Sequence, residues 1–269
     1  MLIPIRDENP TSRTAVVTLG LIALNVIAFL LWEPTFKSEP VQQMFFFCHA
    51  EIPWETTHQT SLARGGPQAV SAIQGDLKVS RAQAAGLQGL LKRKCPDKSW
   101  WQSIFVAMFL HGGWLHIGGN MLYLWIFGNN VEDKIGRVKY VLFYFLWGIA
   151  AAALQTATSP NSVVPSLGAS GAIAGVLGAY LIMFPRRRVL SIVPIFFFFS
   201  LISLPAVVVL GFWFVLQFFS GTTSLAAHVT GGVAYFAHVG GFVTGALAAL
   251  LFFPKEWRGP RPEQQPLSW

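Results

Sequence analysis

The sequence has little charge for its length. Only 12% of its 269 residues are charged, whereas 53% are hydrophobic. A soluble domain of this size needs a charged surface around its core, and about 25% charged residues is usual. A soluble globular protein is therefore excluded, and an integral membrane protein is indicated.

Cysteine is scarce, and glycine has no regular period. Two cysteines are too few for a disulfide scaffold, and 14% aromatic residues exclude a disordered chain. The absence of an internal repeat disfavours an inverted-repeat transporter. The net charge of +7 would suggest nucleic acid in a soluble chain. In a membrane protein it indicates basic cytoplasmic loops, so we expect the lipid bilayer and no nucleic acid as partner.

Apolar stretches predict six membrane-crossing helices. The first of them, 15–32, is uncharged and long enough to cross a hydrocarbon core of roughly 30 Å. A sixth crossing lies within 189–219, which two prolines interrupt. We place its helix near 205–219 and interpret 190–204 as an interfacial or partly inserted approach. The five clear stretches are 15–32, 113–127, 140–155, 168–184 and 232–253.

Basic residues predict the orientation. With six spans, the basic residues beside the spans lie on one side, which is the cytoplasm by the positive-inside rule. Residues 1–14 and 254–269 are then cytoplasmic ends of a core over 15–253, and a long loop at about 33–100 is extracytoplasmic. These basic residues are Arg6, Arg13, Lys134, Arg137, Lys139, Arg186, Arg187, Arg188, Lys255, Arg258 and Arg261.

The long first loop carries both cysteines. Its polar stretch 58–91 is interpreted as an insertion, with a helix predicted over 77–91. In an oxidising compartment Cys48 and Cys95 could form a disulfide that ties the ends of the insertion together. Two unpaired thiols are the alternative.

The first polar cluster is His111-Gly-Gly-Trp-Leu-His116-Ile-Gly-Gly-Asn120. His116 and Asn120 are four residues apart, so both project from one face near the outer end of the second helix. They offer two side-chain donors aimed at one point, whereas His111 is assigned a structural role. A metal site is not predicted, because there is no H-E-x-x-H motif and no third ligand nearby.

A second cluster, Gly168-Ala-Ser170-Gly171, opens the fourth helix. A serine there is ordinarily a helix cap. It also presents a hydroxyl and free backbone N–H groups at a helix terminus, which favours developing negative charge.

The third cluster places His238 on a glycine face of the sixth helix. A comparable face on the fourth helix would let the two backbones approach closely and bring Ser170 within hydrogen-bond reach of His238. A nucleophile, a base and two donors would then meet in the extracytoplasmic half, as acyl transfer requires. The packing glycines are Gly171, Gly175 and Gly178 on the fourth helix and Gly241 and Gly245 on the sixth.

The H-x₄-H-x₃-N, G-A-S-G and A-H-x₂-G-x₃-G motifs, in this order over about 15–253, resemble those of the rhomboid intramembrane serine proteases. The resemblance implies an all-α, six-helix rhomboid-like bundle without a cofactor. It implies that Ser170 is the nucleophile and His238 its base. His116, Asn120 and the Ser170 backbone N–H would form the oxyanion hole, and the substrates would be transmembrane segments of other proteins.

The sequence departs from the family pattern in two places. Ala174 stands where some relatives carry an aromatic residue against the histidine, so other neighbours, with Tyr235 as the candidate, would orient His238. The stretch 101–103 reads Trp-Gln-Ser, where some relatives have Trp-Arg. His228, in the loop before the sixth helix, is not expected to be the base.

Two other functions remain as alternatives. An inactive rhomboid-like binding protein is disfavoured because both Ser170 and His238 are present. A transporter or proton relay is disfavoured because no span contains an acidic residue. Glu132 and Asp133, which follow the second span, are interpreted as structural. A prokaryotic cell membrane is the expected location.

Overall fold

The computed structural model describes residues 3–195, 198–227 and 233–254. Helices make up most of this part of the chain, which also contains three short strands. The helices are α1 (Val16–Ile27), α2 (Glu39–His49), α3 (Pro53–His58), α4 (Gly66–Leu77), α5 (Arg81–Lys94), α6 (Trp100–Ala107), α7 (Trp114–Tyr123), α8 (Asn129–Ile135), α9 (Arg137–Thr158), α10 (Ser170–Met183), α11 (Ala206–Ala226) and α12 (Tyr235–Phe252). The strands are β1 (Ile3–Asp7), β2 (Arg188–Ile195) and β3 (Phe198–Pro205). π-Helical turns extend α1 over Ala28–Trp32 and join α7 to α8 over Leu124–Gly128.

The apolar helices surround α10. Among the described residues, α9, α11 and α12 are long and apolar enough to cross a membrane, and α1 with its extension and α10 are shorter apolar helices. Almost every side chain of α10 is buried, as expected of a helix that is apolar on all sides and lies inside a bundle. The fold is therefore a mostly helical membrane fold, and the presence of six membrane spans stays a prediction.

The segment between α10 and α11 is a β-hairpin, so the all-α prediction is wrong here. Strand β2 pairs antiparallel with β3, with Arg188 opposite Pro205 and Ile195 opposite Phe198. Strand β1 pairs antiparallel with the other edge of β2. The N-terminal strand and the connection from α10 to α11 consequently lie on the same side of the bundle.

Proline and β-branched residues explain this difference. Pro194 cannot continue a helix, and isoleucine, valine and phenylalanine favour strands. The pairing with β1 covers only the first half of β2 and does not need an N–H from Pro194. Helix α11 begins directly after Pro205, near the predicted position, but it continues to Ala226 rather than ending at 219.

The first loop folds around a small core to which residues on both sides of 58–91 contribute, so the term insertion is used below for the whole loop, 33–100. Ile52, Trp54, Leu62 and Ile73 are among its buried residues. The helix predicted over 77–91 is present as α5, but it starts at Arg81, because α4 ends at Leu77 and Lys78 adopts a left-handed conformation. A capping box of Ser80 and Gln83 fixes the start of α5. The structure joins Cys48 of α2 to Cys95 at the end of α5 by a disulfide.

Hydrogen bonds attach this insertion to the loop between α9 and α10. The Trp54 N–H donates to the Ser162 carbonyl at 2.9 Å, and the Ser166 N–H donates to the Glu51 carbonyl at 2.7 Å. The Asp76 carboxylate accepts from the Ser162 hydroxyl at 3.1 Å. Since this loop leads into α10, the insertion supports the segment that precedes Ser170.

Glu132 and Asp133 hold the start of α1. The buried Glu132 carboxylate accepts from the Val17 N–H at 3.0 Å, the Thr18 N–H at 2.7 Å and the Thr18 hydroxyl at 2.8 Å. Asp133 accepts from the Ser12 N–H at 2.9 Å. Glu132 thereby satisfies N–H groups that have no acceptor inside α1.

Buried charges lie where the insertion meets α9. Lys98 and Glu55 form an ion pair of 2.7 Å whose side chains are 4% and 2% exposed. Next to it, the Glu51 carboxylate accepts from the hydroxyls of Thr56 at 2.9 Å and Thr156 at 3.2 Å. Burial raises the pKa of Glu51 from 4.5 to about 7.

The raised pKa of Glu51 predicts that stability falls as the pH rises. Between 4.5 and about 7 the folded carboxyl holds a proton that the unfolded chain has released. The free energy of unfolding should therefore decrease across this window by about 3 kcal/mol, and the loss is complete above it. Glu51→Gln keeps an oxygen acceptor for both threonines and should reduce the slope, with the remainder due to Glu33 and Asp7, whose pKa values burial raises to about 7 and about 6. Thermal unfolding in detergent from pH 4.5 to 8 measures the two slopes.

The exposed Glu39 provides the control, and Glu39→Gln should retain the wild-type slope. Parallel Tm-against-pH curves for wild type and Glu51→Gln would contradict the assignment of this pH dependence to Glu51.

Candidate active site

The centre of the site is a hydrogen bond between α10 and α12. The Ser170 hydroxyl, at the first residue of α10, lies 2.8 Å from Nε2 of His238. His238 is in the first turn of α12 and is 9% exposed. The two residues are 68 positions apart in the chain, so the tertiary fold brings them together.

That packing depends on a glycine seam, formed by Gly171, Gly175 and Gly178 of α10 with Gly241 and Gly245 of α12. A β-carbon added at Gly241 would collide with the carbonyl oxygen of Gly171, and one at Gly245 with that of Gly175. The two backbones are thus in direct contact. The predicted packing glycines lie where the helices touch, and this approach places Ser170 opposite His238.

The other nitrogen of His238 is bonded to a residue that the sequence analysis missed. Nδ1 lies 2.8 Å from the carboxamide oxygen of Gln217 on α11. Trp213, one turn earlier, has its ring centroid 5.7 Å from that of His238, with the rings inclined by 37°. Tyr235, proposed from the sequence to orient the histidine, forms no hydrogen bond to it among the described residues. The available signal was a strongly polar residue within an apolar span, four positions from a tryptophan.

His116 and Asn120 lie beside Ser170. The Gly112 N–H donates to Nδ1 of His116 at 3.3 Å, which leaves the proton of a neutral ring on Nε2. Nε2 lies against Gly168, where a β-carbon would be 2.7 Å from it. The Asn120 side chain is buried, and its Nδ2 has no acceptor among the described residues. Both side chains and Ser170 line one cavity.

His111 is close to this group but outside the cavity. It is 1% exposed, its backbone N–H donates to the Glu33 carboxylate at 3.1 Å, and its ring centroid is 5.1 Å from that of His116. Burial lowers the pKa of His111 to about 3, so the ring is neutral. Its contacts fix the entry into α7 and support His116, which agrees with a structural role.

The cavity above Ser170 is large enough for an extended peptide. Its volume is about 1110 Å³, and it is bounded by α2 of the insertion, by the loop between α9 and α10, and by the start of α12. Glu39 and Asp76 are among its lining residues, and within the described part no lysine or arginine lines it.

No group of three or more His, Cys, Asp or Glu residues that could hold a metal ion occurs within 3–195, 198–227 and 233–254. The expected absence of a metal therefore stays a prediction. His228 and the tail from 255 onward, including Lys255, Arg258 and Arg261, lie outside the described residues.

Residues 97–255, more than half of the chain, match the family model of the Rhomboid domain. Rhomboid protein 1, mitochondrial, of Saccharomyces cerevisiae is 38% identical over 96 residues, which cover 34% of this chain and 28% of the yeast protein. RHOMBOID-like protein 1 of Arabidopsis thaliana is 30% identical over 151 residues, which cover 55% of this chain and 34% of that protein. Rhomboid protease GluP of Bacillus subtilis is 40% identical over 82 residues, which cover 30% and 15%.

These matches span about a third or less of each relative's own length. The relatives come from a yeast, a plant and a bacterium, so the similarity does not single out a prokaryotic source. The expected location in a prokaryotic cell membrane is not supported by them. The matched region begins at residue 97, after most of the first-loop insertion.

The glycine seam predicts that a single methyl group will disturb the site. In Gly245→Ala the new β-carbon meets the Gly175 carbonyl, so α10 and α12 must separate. Overpacking of this kind costs about 1–3 kcal/mol. We expect a lower Tm, and roughly hundredfold slower reaction of Ser170 with a fluorophosphonate, because misplacement of about 1 Å has such effects.

Gly211→Ala on α11 is the matched control, since nothing lies within 4 Å of the added β-carbon. It should retain the wild-type Tm and labelling rate. Equal behaviour of the two alanine variants would contradict a seam held by backbone contact.

Proposed function

Because the chain belongs to the rhomboid family, we propose that it is an intramembrane serine endopeptidase with Ser170 as nucleophile and His238 as general base. The observation that carries this proposal is the 2.8 Å contact between the Ser170 hydroxyl and Nε2 of His238. The bond from Nδ1 to a carboxamide oxygen leaves the Nε2 lone pair directed at the hydroxyl. His238 can therefore take the hydroxyl proton as Oγ attacks a peptide carbonyl carbon.

The negative charge that develops on the carbonyl oxygen needs donors. We assign this role to His116, Asn120 and the backbone N–H of Ser170. The Asn120 amide has no other acceptor among the described residues, and His116 presents Nε2–H beside Gly168. Ser170 is the first residue of α10, so its N–H has no acceptor within the helix. The positive end of the helix dipole further stabilises the negative charge on the oxygen.

Three further proton transfers by His238 complete the reaction. The imidazolium formed in the first step gives its proton to the leaving amine as the peptide C–N bond breaks, which leaves an acyl ester on Ser170. Water from the cavity then attacks the ester, and His238 takes a proton from it. Return of that proton to Oγ releases the carboxylate product and restores the hydroxyl. The cycle needs no cofactor.

The proposed substrates are transmembrane segments of other membrane proteins. A helix in the bilayer keeps its carbonyl groups in internal hydrogen bonds, so a segment must open before Ser170 can attack it. Segments weakened by glycine or proline should therefore be preferred. The cavity of about 1110 Å³ has room for such an opened backbone.

The topology that we propose has residues 1–14 and 254–269 in the cytoplasm, the catalytic core over 15–253, and the insertion at about 33–100 on the extracytoplasmic side. Pairing of β1 with β2 supports this arrangement, because it requires the N-terminus and the connection after α10 to share one side. The disulfide supports an oxidising compartment for the insertion. The cavity beside the insertion would then open to the extracytoplasmic side.

Removal of either member of the proposed dyad should abolish cleavage without unfolding the protein. A panel of single-span membrane proteins is incubated with purified wild type, Ser170→Ala and His238→Ala, and we expect losses of roughly a thousandfold or more. Fluorophosphonate labelling at Ser170 should occur in wild type only. EDTA should leave the rate unchanged.

His228→Ala is the control for the base and should cleave normally. Wild-type turnover by Ser170→Ala would contradict the protease, and activity lost in His228→Ala but kept in His238→Ala would reassign the base. A chain that binds the panel without cleavage or labelling would be an inactive binding protein instead.

The proposed oxyanion donors should affect the rate more than substrate binding. Loss of one such donor typically lowers kcat by about a hundredfold to a thousandfold. We expect this range for Asn120→Ala and for His116→Ala, with a smaller change in KM, because the donors act mainly on the charged intermediate. Gly119→Ala, at an open position of α7, should match wild type. Normal kcat in both donor variants would rule out the side-chain part of the oxyanion hole.

A further inference from the structure

We propose that Gln217 is a positioning residue for the dyad, whose carboxamide oxygen fixes the tautomer and the ring orientation of His238. This inference rests on the proposed function. Gln217 lies on α11, a helix that carries neither Ser170 nor His238 nor the proposed oxyanion donors. This helix would orient the base through Gln217.

The geometry bonds the imidazole at both nitrogens. Nδ1 of His238 is 2.8 Å from Oε1 of Gln217, and Nε2 is 2.8 Å from Oγ of Ser170. A carboxamide oxygen can only accept, so the single proton of the neutral ring lies on Nδ1. In the opposite tautomer Nε2 would carry the proton, so it would have no lone pair with which to remove the proton of the Ser170 hydroxyl.

The surroundings of Gln217 favour this function over simple packing. Its sequence neighbours Leu216 and Phe218 are 38% and 43% exposed on the apolar outside of the bundle. A carboxamide in such a helix is costly unless it is hydrogen-bonded, and His238 is its partner. Phe214 stacks on Phe242 of α12 with ring centroids 4.7 Å apart, which holds α11 against α12 at this level.

A carboxamide differs from the carboxylate of a catalytic triad. It orients the ring and fixes the tautomer, but it carries no full charge to stabilise the imidazolium. The effect of removing it should be smaller than the roughly 10⁴-fold loss that follows when a triad histidine adopts the wrong tautomer. We expect kcat to fall by about tenfold to a hundredfold in Gln217→Leu, with little change in KM.

The test combines kinetics with a direct observation of the tautomer. Cleavage by wild type, Gln217→Leu and Gln217→Glu is measured against pH, and ¹⁵N NMR of labelled histidine reports which nitrogen of His238 carries the proton. The His238 signal is assigned by its absence in His238→Ala. We expect the Nδ1–H form in wild type and a mixture in Gln217→Leu. Gln217→Glu keeps an oxygen at the same position and should recover most of the rate, with the acid limb of the pH profile moved to higher pH.

Thr222→Val is the matched control on α11, because among the described residues the Thr222 hydroxyl bonds only to the carbonyl of Phe219 in its own helix. It should retain both the rate and the tautomer. The inference is overturned if Gln217→Leu has wild-type kcat and an unchanged Nδ1–H signal, or if Gln217→Glu is as impaired as Gln217→Leu. Failure of the proposed function is distinguishable, since wild type itself would then neither cleave nor be labelled at Ser170.

Discussion

The close approach of α10 and α12 is the constraint on which the remainder of the site depends. Side chains larger than hydrogen would separate the helices at Gly241 and Gly245, where their backbones touch. Without a hydrophobic driving force between helices in lipid, such contact is a main source of helix association. The same approach sets the distance between Ser170 and His238, so the packing and the proposed chemistry have one physical origin.

The polar groups around His238 are hydrogen-bonded to partners on other helices. His238 of α12 bonds to Ser170 of α10 and to Gln217 of α11, and the Ala237 N–H donates to the Gln155 side chain of α9 at 3.2 Å. Each bond replaces hydration that the bilayer cannot supply. Four helices therefore converge at one level, and their polar contacts fix the relative positions of α9, α10, α11 and α12.

The sequence allowed the family and the helix seam to be predicted, because both depend on short-range spacing. Motifs at i, i+3 and i+7 mark one face of a helix, and the Rhomboid-domain match confirms the predicted resemblance. The β-hairpin was missed because an apolar run interrupted by proline is equally consistent with a membrane approach. Gln217 was missed because its importance lies in a partner 21 residues away on another helix.

Residues of the insertion, outside the region shared with the family, also hold the segment that precedes Ser170. Glu51, Trp54 and Asp76 lie before residue 97, where the family match begins, yet they bond to the loop that leads into α10. Two features fix the end of that loop. Gly168 adopts a φ of +123°, which only glycine takes readily, and the Gly168 N–H donates to the Ala107 carbonyl at 2.8 Å. The glycine seam fixes α10 after Ser170, and contacts with the insertion and α6 fix the loop before Ser170. The position of the hydroxyl is thus determined by contacts on both sides of the start of α10.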